Sequence, residues 1–342
     1  MASEAPPFWW EKPDWRAFAL SPLSAIYAAV AGRRLRRAPR EKIPAPVLCV
    51  GNFTVGGTGK TPVAIALAGQ ARDMGFSPGI LSRGHGGGFS SPHIVDPHHD
   101  AAKHVGDEPL LLAEHAPVAV SANRAAGARL LLEGYGCDFL IMDDGFQSAR
   151  IHIDYALMVV DARYGLGNGR VIPGGPLRAR VVDQLVYSHA LLRMGEGSAA
   201  DMIVRQAARA GKPVFDARSR PRDPGRFAGR RFLAFAGIGH PDKFFDSVSG
   251  TGATVAQSRP FPDHHFYAAD ELEELLTTAQ AGGLELITTA KDAVRLRHGA
   301  ASPDFLQRLN VLEIETVFDQ ELAPARIIRE TVESWKLRRL AG

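Results

Sequence analysis

Cysteine is scarce, with two residues in 342. Cys49 and Cys137 both fall in apolar runs that read as strands. They are expected to be small core residues rather than a disulfide or a metal pair. Such usage fits a reducing compartment, and no Cys/His spacing suits a metal. Net charge is also small. Forty Lys and Arg against 37 Asp and Glu leave +3, too little for a whole-protein nucleic-acid footprint, so no nucleic-acid partner is expected. Long apolar runs are missing too. Residues 18–31 fall short of the ~20 that span a bilayer. Their basic cluster, Arg33, Arg34, Arg36 and Arg37, follows the run, whereas a secretory signal places its basic region first. No internal repeat or low-complexity tract is present. The composition is that of a globular chain long enough for two cores.

Those same N-terminal residues read as an amphipathic helix lying in a membrane interface. Phe8, Trp9 and Trp10 would be anchors, residues 18–31 the apolar face, and the arginines the contact for anionic headgroups. The alternative is an ordinary helix docked on the core, with a solvated basic end.

The stretch Val47-Leu48-Cys49-Val50-Gly51-Asn52 is a buried strand by its apolar, β-branched run. Phe53 leads into a glycine-rich turn, and a helix begins at Thr61-Pro62, where proline suits the first turn. Strand, loop, Gly-Lys-Thr and helix make a phosphate cradle. Thr54, Val55, Gly56, Gly57, Thr58, Gly59, Lys60 and Thr61 are the expected nucleotide contacts. Loop N–H groups and the helix N-terminus face the phosphates, Lys60 adds a charge there, and the Thr61 hydroxyl suits Mg²⁺. Thr54 stands where the consensus wants its first glycine.

From about residue 46 to Asp161, apolar strands alternate with helices. That pattern predicts an α/β fold, a P-loop NTPase-like core with a mostly parallel sheet covered on both faces. Ligands then bind at the carboxyl ends of the strands. A loop-like Gly/Pro/Arg segment covers residues 165–180. An Arg/Pro-rich stretch at 219–230 reads as a linker, after which the βα pattern restarts with strands at 232–236, 254–258, 285–289 and 311–317. The expected division is an N-terminal membrane segment at 1–43, a nucleotide-binding domain at 44–227, and a smaller α/β domain with a C-terminal helix at 228–342.

Four polar clusters punctuate this frame. Asp143 and Asp144 end a four-residue apolar strand, where a P-loop NTPase keeps its Mg²⁺-linked carboxylate. Gly145-Phe146-Gln147 extends that loop. Gly106-Asp107-Glu108-Pro109 reads equally well as a site for a hydroxyl-accepting carboxylate and as a helix cap ahead of an early proline. Phe261-Pro262-Asp263-His264-His265 follows a strand of the second domain, positioned to reach across a cleft or to stand in solvent. Thr289-Ala290-Lys291-Asp292 ends another strand; its adjacent Lys and Asp do not match a guanine-recognition motif.

Taken in order, Val-Gly-Gly-Thr-Gly-Lys-Thr-Pro at 55–62, Ser-Arg-Gly at 82–84, Val-Gly-Asp-Glu-Pro at 105–109, Asp-Asp-Gly-Phe-Gln at 143–147, Gly-Asn-Gly at 167–169, Pro-Asp-His-His at 262–265 and Thr-Ala-Lys-Asp at 289–292 resemble the tetraacyldisaccharide 4′-kinase family, the lipid A 4′-kinases of Gram-negative bacteria. The resemblance runs from roughly residue 18 to 320. It implies Mg-ATP-dependent phosphorylation of the 4′-hydroxyl of tetraacyldisaccharide 1-phosphate, giving lipid IVA, by a peripheral enzyme on the cytoplasmic leaflet of the inner membrane. It further implies that Lys60 and Thr61 hold phosphates and Mg²⁺, and that Asp107 is the general base supported by His264. Glu108, Asp143 and Asp144 would serve the metal. Where the family often has His after the Asp-Asp-Gly-x-Gln run, this chain has Ser148. The alternatives are a membrane-associated P-loop switch ATPase, in which a Lys stands where this chain has Val55, and a scaffold with a degenerate P-loop.

Overall fold

The apolar runs form strands that sort into two sheets. The computed structural model describes residues 5–84, 91–147 and 150–341. A 3-10 turn at Pro7–Trp9 precedes helices α1 (Trp15–Ala19) and α2 (Ser21–Arg37). Then come β1 (Val47–Asn52), α3 (Lys60–Asp73), β2 (Pro78–Ser82), β3 (His93–Ile94), α4 (Ala102–Val105), α5 (Asp107–Ala113), β4 (Val118–Val120), α6 (Arg124–Tyr135), β5 (Phe139–Asp143) and β6 (Tyr155–Asp161). An irregular stretch leads to α7 (Val181–Tyr187), β7 (Ala190–Met194), α8 (Asp201–Arg209) and β8 (Val214–Pro221). The chain continues through β9 (Arg231–Ala236), α9 (Pro241–Ser249), β10 (Thr254–Pro260), α10 (Ala269–Ala281), β11 (Glu285–Thr289), α11 (Ala290–Arg297) and α12 (Pro303–Arg308). It ends with β12 (Leu309–Leu312), β13 (Ile314–Phe318) and α13 (Ala323–Leu340).

The larger sheet has the order β13-β8-β7-β6-β1-β5-β2-β4-β3. Only its edge strands, β13 and β3, run antiparallel to their neighbours. The inner strands are buried on both faces, as continuous apolar runs require. β1 lies between β5 and β6, with Val50 opposite Asp143. The P-loop and the two aspartates therefore leave the sheet at adjacent carboxyl ends. The smaller sheet, β10-β9-β11-β12, is wholly parallel.

The expected division at 227/228 does not match these sheets. The presumed linker begins as strand: β8 runs on to Pro221, because β13 zips antiparallel to it from Ile314 opposite Pro221 to Phe318 opposite Ala217. The single strand expected at 311–317 is two, broken at Glu313. β12 belongs to the smaller sheet and β13 to the larger. α13 then packs on α3, β1 and β6. The chain thus leaves the larger sheet after β8 and returns to it for its last elements. Cys49 lies in β1 as expected, but Cys137 lies between α6 and β5; both are buried and free.

The return is fastened by an ion pair. Arg338 on α13 places Nε 2.7 Å from Asp154 Oδ1 and Nη2 3.1 Å from Oδ2, with both side chains buried. Arg338 also donates to the carbonyls of Ile43 and Ala45, and Asp154 Oδ2 accepts the Val47 N–H at the entry of β1.

α2 has an inverted pattern. The residues it buries are Ser24, Ala28, Gly32 and Leu35, a mostly small stripe that lets its backbone lie close to the body. Trp15, Phe18, Leu23, Ile26, Tyr27 and Val30 face outward instead. The tryptophans expected as anchors are docked: Trp9 Nε1 donates to Pro173 O, and Trp10 packs edge-on against Tyr164. Among the described residues no helix is long and apolar enough to cross a membrane.

Breaking the Arg338–Asp154 pair strands a carboxylate with no exposed surface. Arg338→Met should lower the unfolding free energy by about 3–5 kcal/mol, read as an earlier urea midpoint with an unchanged slope. An unchanged midpoint would remove the pair from the account of how the chain closes.

Candidate active site

Gly59 has φ +80°, a left-handed conformation that glycine adopts without strain, and it turns the chain into α3 at Lys60. The front of the loop is pinned from another segment. Val55 N donates to Pro176 O, and Arg178 N and Nε donate to the carbonyls of Phe53 and Thr54. Arg178 also reaches over the loop to Asp144, with Nη2 2.8 Å from Oδ2. Lys60 Nζ is 3.7 Å from the same oxygen. Gln147 donates to Asn52 O and to Gln184 Oε1, so it braces the loop rather than facing the cleft. Ser148 lies outside the described residues.

The loop expected around Asp107 shrinks to one residue. Gly106, at φ +93°, separates α4 from α5, and Asp107 is the first residue of α5 rather than its cap. The capping alternative is therefore not realised. Asp107 Oδ1 accepts only the neighbouring Glu108 N–H, and Oδ2 faces the smaller sheet.

The carboxyl ends of β9, β10 and β11 meet Asp107 there. His264, in the turn after β10, places Nδ1 3.2 Å from Asp107 Oδ2. Its φ of +59° is a strained value for a non-glycine residue, and Asp144 has another, at +52°. His265 turns elsewhere: Nε2 lies 2.8 Å from Glu271 Oε2 and its ring stacks on Phe261. On α11, Lys291 Nζ is 2.5 Å from Glu108 Oε1 and Arg295 Nε is 3.4 Å from Asp107 Oδ2.

The electrostatics follow from this crowding. Burial alone would push the Asp107 carboxyl up, but the His264 hydrogen bond and the Lys291 and Arg295 charges outweigh it and hold it well below the usual range. Lys291, foremost, holds Glu108 down. Asp143 is pushed up to about 7, first by burial and then by Glu108. The hydrogen bond to Asp107 raises His264 above 6.5. Arg124, at the start of α6, is lowered to about 10 by burial and by Arg83. Its Nε and Nη2 have no hydrogen-bond partner among the described residues.

The sequence-derived set is therefore assembled in one place: Lys60, Thr61, Asp143 and Asp144 at the larger sheet, Asp107 and Glu108 at the start of α5, and His264 from the smaller body. Arg178, Arg295 and Arg124 went unnoticed, and Lys291 was noted without a role. Arg178 sits in a stretch whose composition reads only as loop. Arg295 lies one helical turn beyond Lys291, a spacing that could have flagged it.

The comparisons with known proteins agree. The family model described as tetraacyldisaccharide-1-P 4′-kinase matches residues 16–333. The chain belongs to that family. A tetraacyldisaccharide 4′-kinase of Mesorhizobium japonicum is 74% identical over 340 residues, 99% of each chain. One from Brucella melitensis is 56% identical over 339 residues, again 99% of each. The crystal structure of LpxK from Aquifex aeolicus in complex with ATP covers 92% of this chain and 99% of its own, with a TM-score of 0.71 at 24% identity; it shows the family's fold in this chain. The motif-based resemblance and the α/β fold are thus borne out.

A raised histidine stabilises in one pH window. The His264–Asp107 contact contributes fully below 6.5, the unfolded value, and is lost as pH rises through the higher folded value. By NMR, the His264 ring should titrate above 6.5, and Asp107→Asn should lower it, because burial and Lys291 are then opposed by Asp263 alone. A His264 value indifferent to Asp107→Asn would dissolve the pair.

Proposed function

We propose that the protein transfers the γ-phosphoryl group of ATP to the 4′-hydroxyl of tetraacyldisaccharide 1-phosphate, giving lipid IVA in lipid A biosynthesis. Family membership supports the reaction. One observation carries the residue roles: Asp107, buried on the body that bears the P-loop, meets His264 of the smaller body at its Oδ2.

The residues fit a nucleotide with Mg²⁺. A Cβ at Gly57 would meet nothing within 4 Å, so the loop has open space in front of it. The Thr58 hydroxyl and Asp143 Oδ1 are buried without a partner among the described residues. Residues 54–61 would hold the phosphates, and Thr61 and Asp143 the metal, with Glu108 and Asp144 behind them. Asp144 is already gripped by Arg178 and Lys60, which suits it to orient water or phosphate contacts more than to bind alone. No group of three or more His, Cys, Asp or Glu among the described residues could itself hold a metal. Magnesium typically takes one or two carboxylates and completes its shell with phosphates and water. It would supply charge neutralisation on the phosphates.

The protein's own work is positioning. Lys60 stabilises charge on the transferred group. Asp107 orients the acceptor hydroxyl and takes its proton, and His264 shares that proton. The two bodies exclude water, a competing acceptor. The outward apolar face of α2, with Arg33, Arg34 and Arg37 at its end, supports a location of this cleft on the cytoplasmic leaflet of the inner membrane, where the substrate's acyl chains would lie. The switch-ATPase alternative is not favoured, since neither the interbody charge cluster nor the family match belongs to that reading.

With detergent-dispersed tetraacyldisaccharide 1-phosphate and Mg-ATP, a bisphosphorylated lipid should appear; ATP hydrolysis without it would refute the reaction. Asp107→Ala should cut turnover about 10²–10⁴-fold while nucleotide affinity stays within twofold. Retained turnover would remove Asp107 from the base role. For the membrane contact, Ile26→Glu or Val30→Glu should weaken binding to anionic vesicles about tenfold or more without loss of a cooperative melt. Unchanged vesicle binding would count against α2 as the docking face.

A further inference from the structure

Arg295 makes more contacts than a structural arginine on α11 needs. Its side chain is 2% exposed. Nη1 donates to His265 O at 3.0 Å and Nη2 to Gly237 O at 2.9 Å. Gly237 O also accepts the His264 N–H, at 3.1 Å. The guanidinium therefore clasps both ends of the turn that forces His264 into its left-handed conformation. Its third nitrogen, Nε, donates to the Lys291 carbonyl at 3.3 Å and lies 3.4 Å from Asp107 Oδ2, the oxygen that His264 also touches.

The arginine is itself fixed. Asp292 Oδ1 lies 3.2 Å from Nη2 and accepts the Tyr267 hydroxyl at 2.6 Å and the Gly237 N–H at 3.0 Å. Asp292 Oδ2 lies 2.6 Å from the Thr289 hydroxyl, which accepts the Asp292 N–H. Every lever on the arginine belongs to the smaller body, whereas the carboxylate it addresses belongs to the larger. A planar fork with fixed donor directions suits this task, and an ammonium on a flexible stem does not.

We propose that Arg295 is the positioning residue for the Asp107–His264 pair: it sets the turn that aims His264 at Asp107 across the cleft. The proposal rests on the reading of Asp107 as the group that receives the acceptor hydroxyl. Without the guanidinium the carbonyls of Gly237 and His265 lose their shared clasp, and the turn that holds His264 against Asp107 is no longer fixed. The lost aim lowers turnover, because a small misplacement of a reacting group costs rate rather than ground-state binding.

The test uses the full-length protein and the lipid phosphorylation assay. Arg295→Met should lower kcat roughly 10–100-fold and leave KM for ATP within twofold. Arg295→Lys, which keeps the charge but loses the fork, should lose turnover as well. A cooperatively melting Arg295→Met with wild-type kcat overturns the proposal. Should that variant fail to fold, Arg295→Lys decides alone: wild-type kcat overturns it. Asp107→Asn run beside them separates the two ideas. An active Asp107→Asn sinks the base reading, while an inactive one beside normal Arg295 variants sinks only the positioning role.

Discussion

A buried carboxylate needs a cation, and Asp107 receives its cations from the other sheet. α5 offers none of its own, so the ionised state of Asp107 depends on His264, Lys291 and Arg295 being brought to it. His264 lies in the turn after β10, Lys291 at the start of α11 after β11, and Arg295 one helical turn further along α11. The larger sheet presents its P-loop and aspartates at carboxyl ends as well. Two parallel sheets facing each other by those ends create a cleft with complementary charges on its two walls. The contact is mixed: beside these charges, Val294 of α11 is buried in the larger body's apolar core.

A second line of contacts runs from the outer helix to the phosphate loop. Ser24 on α2 accepts the Gly174 N–H, Asn168 donates to the Phe8 and Gly174 carbonyls, and Pro176 to Arg178 pin residues 53–55. The stretch between β6 and α7 is thus a rigid tie rather than a loose connection. It also reaches the smaller body: Tyr164 stacks on His240 at 4.5 Å, and Lys243 pairs with Asp161 at 2.5 Å. The buried face of α2, the loop that would hold the phosphates and the body that carries His264 all meet on this one segment.

How much of this could be read from residues alone follows the range of the forces involved. β1, α3 and the strand ending in Asp143-Asp144 are local: apolar runs, a glycine turn and a helix start lie within a dozen residues of each other. The P-loop and both aspartates were therefore legible. The choice of His264 over His265 was legible only through the motif; its physical basis, the Glu271 and Phe261 contacts that take His265 away, is tertiary. The polar second half of β8 and the separate strand β13 were missed because residues 218–221 and 314–317 become strand by pairing with each other across almost a hundred residues, whereas the apolar start of β8 pairs with β7. Arg178 and Arg295 share that fate. Nothing beside Arg178 marks it and only the spacing from Lys291 marks Arg295, since each acquires meaning from a carboxylate supplied by another part of the chain. The tryptophans failed as anchors for a related reason: aromatic residues next to a basic helix suit protein and lipid equally, and only the loop at 164–178 decides between them.

The depressed Asp107 carboxyl appears a poor feature for a base, since a carboxylate held by three cations has little appetite for a proton. Phosphoryl transfer resolves the difficulty. In its loose transition state the bond to the leaving oxygen is largely broken before the acceptor oxygen has bonded, so the acceptor hydroxyl is still only weakly acidic when the barrier is crossed. A strong base gains little at that point, whereas a fixed, charged acceptor of a hydrogen bond gains alignment. The proton must leave only afterwards, when the acceptor oxygen has become acidic. His264 can take it only when its ring is neutral, because an imidazolium has no lone pair to offer; the contact that holds Asp107 down and raises His264 then favours the proton on the ring. The opposed shifts in the pair thus divide the work: Asp107 aims the hydroxyl, a neutral His264 carries the charge that follows, and Arg295 holds the turn that aims it.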